Sequence, residues 1–304
     1  MILKKQVSWI ELLPFLKVTF SVVVWGASFI ATKIALRDIQ PITVVWARFA
    51  IGVIILGIVV LARNQFILPQ RAEIPYFGVL GFLGIAFHQW LQSTGLMTSK
   101  ASTSAWIVAT TPLFIAMLSW LFLKEKLKWA QVIGIGLATI GVLLVISEGD
   151  ISSLSVGEFG NFGDILIFIS AINWAVFSVI SRRGLKKHSA ALMMFYVMAA
   201  GWFMISIPFF IGPSVYDLQA LSLYSLLGLL FLGIFCSGIA YIFWYDALKS
   251  IPASQVGVFL YLEPFVAVIV AAFLLGESII LASLIGGILI LIGVWMVNRL
   301  SASE

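Results

Sequence analysis

Residues 259–278 read FLYLEPFVAVIVAAFLLGES, an apolar run that carries a carboxylate and a proline side by side at Glu263-Pro264. In bilayer hydrocarbon a charge at that depth costs about 2.5 kcal/mol or more, and proline removes a backbone donor and kinks the helix. The pair is tolerable where the helix faces protein or water. There a carboxylate has two uses, binding a cationic amine or carrying a coupled proton, or it serves as a structural group held by a partner. A second charge sits in VVWARFAIG (44–52), where Arg48 either snorkels to the nearer end of its helix or forks onto a substrate carboxylate. In GIAFHQWLQSTGLM (84–97), His88, Gln92 and Gly95 share one helical face with Gln89 and Ser93 beside them. Polar residues this dense face a bundle interior, joining helices or lining a cavity. His88 is a proton carrier or a hydrogen-bonded packing group, and Gln92 a cavity-lining one.

Aromatic residues form the other chemical set. SGIAYIFWYDALK (237–249) places Tyr241 and Tyr245 one turn apart with Trp244 between. Trp25, Trp106, Trp174, Phe177 and Tyr261 also lie deep in apolar runs. Such rings stack on an aromatic substrate or cage a cation, or else pack against their neighbours. Ser28 and Thr110 complete the expected substrate-binding set. Pro112, in IVATTPLFIAML, and Pro264 are expected helix breaks. Glu125 and Glu277 stand just before the next helix and are expected to cap it, while Lys33 and Arg182 read as interfacial anchors.

These residues need elements to hold them. The chain is 62% hydrophobic and 10% charged, with a mean hydropathy of +1.13, whereas a soluble domain carries about 25% charged residues. This excludes a water-soluble fold and implies an integral membrane protein in a lipid bilayer. Unbroken apolar runs of about 20 residues point to spanning helices, not to the alternating strands of a barrel. Ten spans are expected near 14–35, 41–62, 75–97, 101–122, 128–147, 163–182, 190–211, 222–247, 253–275 and 279–298. The first is read as a retained span, not a cleaved signal. Thirteen Lys and Arg fall on one side and Lys33, Arg37 and Lys100 on the other. The positive-inside rule then sets both termini in the cytoplasm, across a bacterial-type inner membrane. The net charge of +5 lies largely in short loops, so it reads as topology and not as a nucleic-acid surface. The single Cys236 excludes an internal disulfide and a cysteine-clustered metal site. No cofactor motif is present, and no feature sets an oligomeric state.

The halves repeat. Trp25-Gly26 precedes Trp174-Ala175 by 149 residues, and Gly84 precedes Gly233 by the same number. Further on the offset is 152, pairing Ala101-Ser102 with Ala253-Ser254, Pro112 with Pro264, Glu125 with Glu277, Gly134 with Gly286 and Gly141 with Gly293. Five spans per half means that the second half enters the membrane upside down. Inverted repeats of this kind mark secondary transporters with a midplane substrate site. The expected fold is therefore all-α, two inverted five-helix repeats (1–150 and 151–304) forming one unit around a central cavity.

The chain resembles the drug/metabolite transporter superfamily, in particular its EamA-type ten-helix exporters. The likeness rests on Trp25-Gly26, Trp-Ala-Arg-Phe at 46–49 and the Ala-Ser…Thr-Pro stretch of 101–112. It continues in LKEKLKWAQVIGIGLATIGV (123–142), GDILIFISAINWAVFSVISRR (163–183) and YLEP…LLGE (261–277). The resemblance implies a basket of helices in which spans 1–4 and 6–9 surround the cavity and spans 5 and 10 lie outside. It also implies a small-molecule substrate drawn from amino acids, nucleotide derivatives, sugars or drugs, commonly moved outward. The nearest branch exports aromatic amino acids. Three rivals fare worse. No HExxH, GxSxG, paired catalytic aspartates or nucleotide-binding loop supports an enzyme or a primary pump. No charged ring or filter supports a channel. A regulator has no need of two inverted halves.

Overall fold

The computed structural model describes residues 9–111, 113–114, 117–118, 129–150, 161–185, 187–212, 214–219, 221–250 and 259–301; within helices, the side chains of 9–11, 131, 182, 245, 248, 249 and 297–301 are outside the description. Pro112, Glu125, Ala253-Ser254 and the side chains of Arg182 and Tyr245 therefore lie outside the described residues. No strand occurs among the described residues.

Among the described residues the longer helices are α1 (Trp9–Ala35), α2 (Pro41–Ala62), α3 (Arg71–Gly95), α4 (Ala101–Val108), α5 (Trp129–Ile146), α6 (Phe162–Leu185), α7 (Ala190–Ile211), α8 (residues 223–250), α9 (Glu263–Leu275) and α10 (Leu281–Ser301), with one short turn of helix at Ser214–Asp217. Six stretches are long and apolar enough to cross a membrane: Leu12–Ala35, Pro41–Ala62, Arg71–Gly95, Phe162–Leu185, Ala190–Ile211 and Leu223–Trp244. Shorter apolar helices cover Val132–Ile146, Leu260–Leu275 and Leu281–Met296. Their β-branched residues do not prevent helix here, because in hydrocarbon only a helix satisfies each backbone group within its own segment. The surface is apolar, and the interior, itself largely apolar, holds a set of buried polar groups. Ile58, Phe203 and Phe273 stand well exposed, while Ser21, Thr43, Arg48, His88, Ser170, Asn173 and Ser237 are buried.

Helices of the first half pack mainly on helices of the second. α1 lies on α8 and α9, as α6 lies on α3 and α4; α2 meets α8, as α7 meets α3. α2 pairs with α7, α4 with α9, and α5 with α10. The last pair crosses antiparallel through small residues: a Cβ on Gly141 would meet Gly286 O at 2.5 Å, and one on Gly293 would meet Gly134 O at 2.3 Å. Glycine at these points lets the backbones touch. α5 and α10 join the remainder chiefly through α4.

Proline and glycine delimit α9. A 3₁₀ turn over Leu260–Leu262 precedes it, and Pro264 occupies its first turn, where the missing N–H has no intrahelical acceptor to lose. Gly276, left-handed at φ 67°, ends it. That turn carries Glu277 to the start of α4, not to α10. Its carboxylate accepts from Ala101 N (2.8 Å), Ser102 N (3.1 Å) and Ser102 Oγ (2.6 Å), with Lys33 Nζ at 3.5 Å. The expected cap thus exists on a different helix, because α4 and not α10 presents its free N–H groups there. Lys33 is also more than an anchor, since it bonds Ser99 O at 2.7 Å.

Burial raises the Glu277 carboxyl, but its hydrogen bonds to Ser102 and Ala101 and the Lys33 charge outweigh this and hold it below the usual carboxylate value. A folded value below the unfolded one gives stability present above the ordinary carboxylate range and lost as pH falls through the folded value. Melting temperature in detergent is expected to fall as pH drops below about 4.5. Glu277→Gln, which loses a cap of about 1 kcal/mol, is expected to melt lower at pH 7 and to show less of that acid slope. Parallel curves for the two proteins would contradict the cap.

Candidate functional site

Arg48 is buried on α2, its neighbours Val44, Val45 and Phe49 forming the packed face that holds it inside. Its Nε donates to Ser237 Oγ (3.1 Å) on α8 and its Nη1 to Gln89 Oε1 (3.1 Å) on α3, and the guanidinium lies 5.1 Å from the Phe49 ring centre. It does not snorkel. No carboxylate among the described residues lies within ion-pair distance of it. The imidazole of His88, one residue before Gln89, places Nδ1 3.1 Å from Ser170 O and its ring 4.7 Å from that of Trp174. A carbonyl only accepts, so Nδ1 carries the proton and the lone pair of the neutral ring is at Nε2.

Among the described residues, only Thr94 Oγ1 and Trp106 Nε1 are side-chain polar atoms both sealed off and unpartnered. Arg48 Nη2, His88 Nε2 and Gln89 Nε2 have no hydrogen bond among the described residues. Each therefore borders open space, although all three residues are more than nine-tenths buried.

Glu263 arrives from the other side. A Cβ on Gly26 would stand 2.7 Å from Glu263 O and 2.8 Å from Val266 Cβ, so glycine lets α1 and α9 touch where Glu263 sits. The adjacent Trp25 turns the opposite way, donating Nε1 to Cys236 O on α8 (3.1 Å) and lying 5.6 Å from the Tyr241 ring and 5.2 Å from the Trp244 ring. The Trp-Gly pair thus wedges α1 between α8 and α9. Glu263 is half-buried as a residue, and its carboxylate has no hydrogen bond or ion pair among the described residues. Cys236 and Tyr241 lie within electrostatic reach of both Arg48 and Glu263. Arg48 and Glu263 are thus near the same two side chains but make no ion pair with each other.

Trp174 stacks toward Phe177 at 4.8 Å, beside His88, and Phe177 fills the space left by Gly84. Gln92 follows one turn after His88, partly exposed. Trp25, Arg48, His88, Gln92, Trp174, Phe177, Tyr241, Trp244 and Glu263 are thus carried by helices that meet around one interior region. Ser28 stands near it on α1, its hydroxyl spent on Trp25 O at 2.6 Å.

Three expected residues sit elsewhere. Trp106 is fully enclosed against Gly287, Phe265 and the α5–α10 pair. Tyr261 packs against that same cluster. Thr110 bonds Ile107 O and lines an apolar cleft of about 350 Å³ between α4, α5 and α6. Of the two partners of Arg48, Gln89 is legible only as a polar neighbour of the His88–Gln92 face, and Ser237 only through the 149-residue offset that pairs it with His88. Gly26→Ala is expected to push α9 off α1 and to cost about 1–3 kcal/mol by overpacking, read as a lower melting temperature; wild-type melting would contradict the contact.

An apolar-surfaced helical bundle with a charged, aromatic interior defines a multi-pass membrane protein. The chain belongs to the EamA-like transporter family, whose sequence model matches residues 13–147 and 161–299. An uncharacterized transporter of Archaeoglobus fulgidus is 28% identical over 286 residues, 92% of this chain and 96% of that one. A Streptantibioticus cattleyicolor protein named a probable terminal-alkyne amino-acid exporter is 24% identical over 281 residues, 92% of this chain and 91% of its own length. A solved crystal structure superposes with a TM-score of 0.66 at 22% identity, over 94% of this chain and 98% of that chain, which is a likeness of fold. The family's members are transporters of small molecules and not enzymes, so a small-molecule substrate and surrounding lipid follow for this chain.

Proposed function

We propose that this transporter exports zwitterionic, amphipathic metabolites, amino acids with an apolar or aromatic side chain above all, by alternating access through a chamber between two inverted repeats, 1–150 and 151–304. The observation that carries it is that Arg48 and Glu263, each without an ion-pair partner among the described residues, both lie near Tyr241 and Cys236. A buried charge without a counter-ion is expensive, and a ligand bearing a carboxylate and an ammonium at matching separation would neutralise both. Trp25, Tyr241, Trp244, Trp174 and Phe177 would take its side chain. Pro264, at the head of α9, supports a helix break beside the site. The antiparallel crossing of repeat-related α5 and α10, and the matched packing of α1 on α8 with α6 on α3, support the inversion. The name of the Streptantibioticus relative supports amino-acid export. Net movement is driven by a proton carried on Glu263, with both termini in the cytoplasm of a bacterial-type inner membrane.

Thermal stabilisation of the purified protein tests the ligand class. Apolar and aromatic amino acids are compared with their amides, which lack the carboxylate, and with their deaminated acids. A ligand at a hundredfold its Kd stabilises by about 2.7 kcal/mol. The parent amino acids are expected to stabilise and both truncated series to fail. Equal stabilisation by the amides would remove Arg48 from recognition and sink the zwitterion reading.

A further inference from the structure

The two halves share one more feature. Phe82–Phe87 in α3 and Phe231–Ile239 in α8 are both π-helical. The tetrapeptide Phe-Leu-Gly-Ile opens each, at 82–85 and 231–234, separated by the 149-residue offset. π-Helix makes up well under 1% of residues in proteins, so its recurrence at repeat-related sites is no accident of packing. Such turns contain a residue more than an α-turn needs, and they concentrate at functional positions.

Each π turn has a carbonyl held by a side chain from the facing helix of the other half. Asn173 Nδ2 on α6 donates to Leu83 O (2.6 Å), and Trp25 Nε1 on α1 donates to Cys236 O (3.1 Å). Arg48 connects the two turns. Ser237, its Nε partner, lies inside the α8 turn, and Gln89, its Nη1 partner, lies two residues beyond the α3 turn. One guanidinium thus bridges the same structural joint of both repeats while its Nη2 borders open space.

We infer that the matched π turns are the joints at which α3 and α8 change register as the chamber turns from one face to the other, and that Arg48 is the positioning residue that couples its occupant to both joints. This rests on the alternating-access reading above. Migration of a π turn along a helix rotates and shifts the segment beyond it without unfolding, a discrete rearrangement of the kind that packed interiors allow. A carboxylate on Nη2 draws on the same delocalised, planar cation that holds Ser237 and Gln89, so its arrival biases both joints at once. A lysine, with a point charge and no fork, would bind the anion without bridging.

Gln89→Ala and Ser237→Ala test this in proteoliposomes, with amino-acid binding measured separately by thermal shift. Each is expected to lower the maximal transport rate ~tenfold or more while KM and binding change by no more than about threefold, the pattern of a lost conformational step. A raised KM at unchanged maximal rate in both would make Arg48 a substrate ligand alone and overturn the coupling. Should a variant not fold, hydrogen exchange on the wild type decides. Saturating amino acid is expected to change protection at 82–89 and 231–239 together, and a change at neither turn, or at one alone, overturns the joints. If no amino acid binds the wild type, the function reading fails instead. The paired turns are then judged by whether their exchange rates respond together to a pH gradient.

Discussion

Glu263→Gln is expected still to exchange amino acid across proteoliposomes, at a raised KM because the ammonium loses its counter-charge, while a pH gradient no longer accelerates its net transport. This is the largest functional effect expected from a single atom pair. The carboxylate stands in the first turn of α9, within a membrane-embedded bundle, with no cation or donor among the described residues to justify its charge. A permanently ionised group in such a place would be costly. A group that takes a proton in one facing state and gives it up in the other has a reason to be there. Glutamine keeps the shape and the hydrogen-bonding oxygen but cannot carry the proton, so exchange, which returns the carrier loaded, survives. Net flux coupled to protons does not. A variant that retained wild-type pH acceleration would remove Glu263 from coupling and leave it as an ammonium ligand.

Gly293→Leu is expected to have the largest effect on stability with the least on recognition. A Cβ there would meet Gly134 O at 2.3 Å and Ala138 N at 2.8 Å, both on a backbone that cannot swing aside. Separating α10 from α5 forfeits the close contact of two helices whose main partner is each other. Overpacking of this kind costs about 1–3 kcal/mol, more where backbone must move. The interior around Arg48 is built by α1, α2, α3, α6, α8 and α9. The fraction that folds is therefore expected to bind amino acid with unchanged affinity while its melting temperature falls. Weakened binding at unchanged melting would show that the α5–α10 pair shapes the site directly.

The helices were legible because each apolar run is bounded by Gly, Pro or charge. The start of α2 at Pro41 and the end of α9 at Gly276 follow that punctuation. What each helix turns inward was harder to read. In a soluble helix, polar residues mark the outer face, but around Trp106 and Thr110 small hydroxyl residues (Ser102, Thr103, Ser104, Thr111) are spread over several faces and mark no direction. Depth could be read there and direction could not, so two residues at a suitable depth face the α5–α10 cluster and the neighbouring cleft. Glu277 was legible as a cap, while its helix was not, since capping depends on which N–H groups lie nearby in space. The π turns were hidden for a similar reason. The repeated Phe-Leu-Gly-Ile is visible in the sequence, but a uniformly apolar stretch carries no periodicity from which a wider turn could be recognised. Arg48 was singled out by its charge, and its partners on α3 and α8 became apparent only through packing.

Access to the interior from both faces is tested most directly by thiol labelling. Cys236 is replaced by alanine, a cysteine is placed at Gln92, and a membrane-impermeant maleimide is applied to right-side-out or inside-out vesicles. Labelling from either face, slowed by a bound amino acid in both orientations, is the result expected of a chamber that opens alternately. Labelling from one face alone under every gradient, or none that amino acid protects, would contradict it.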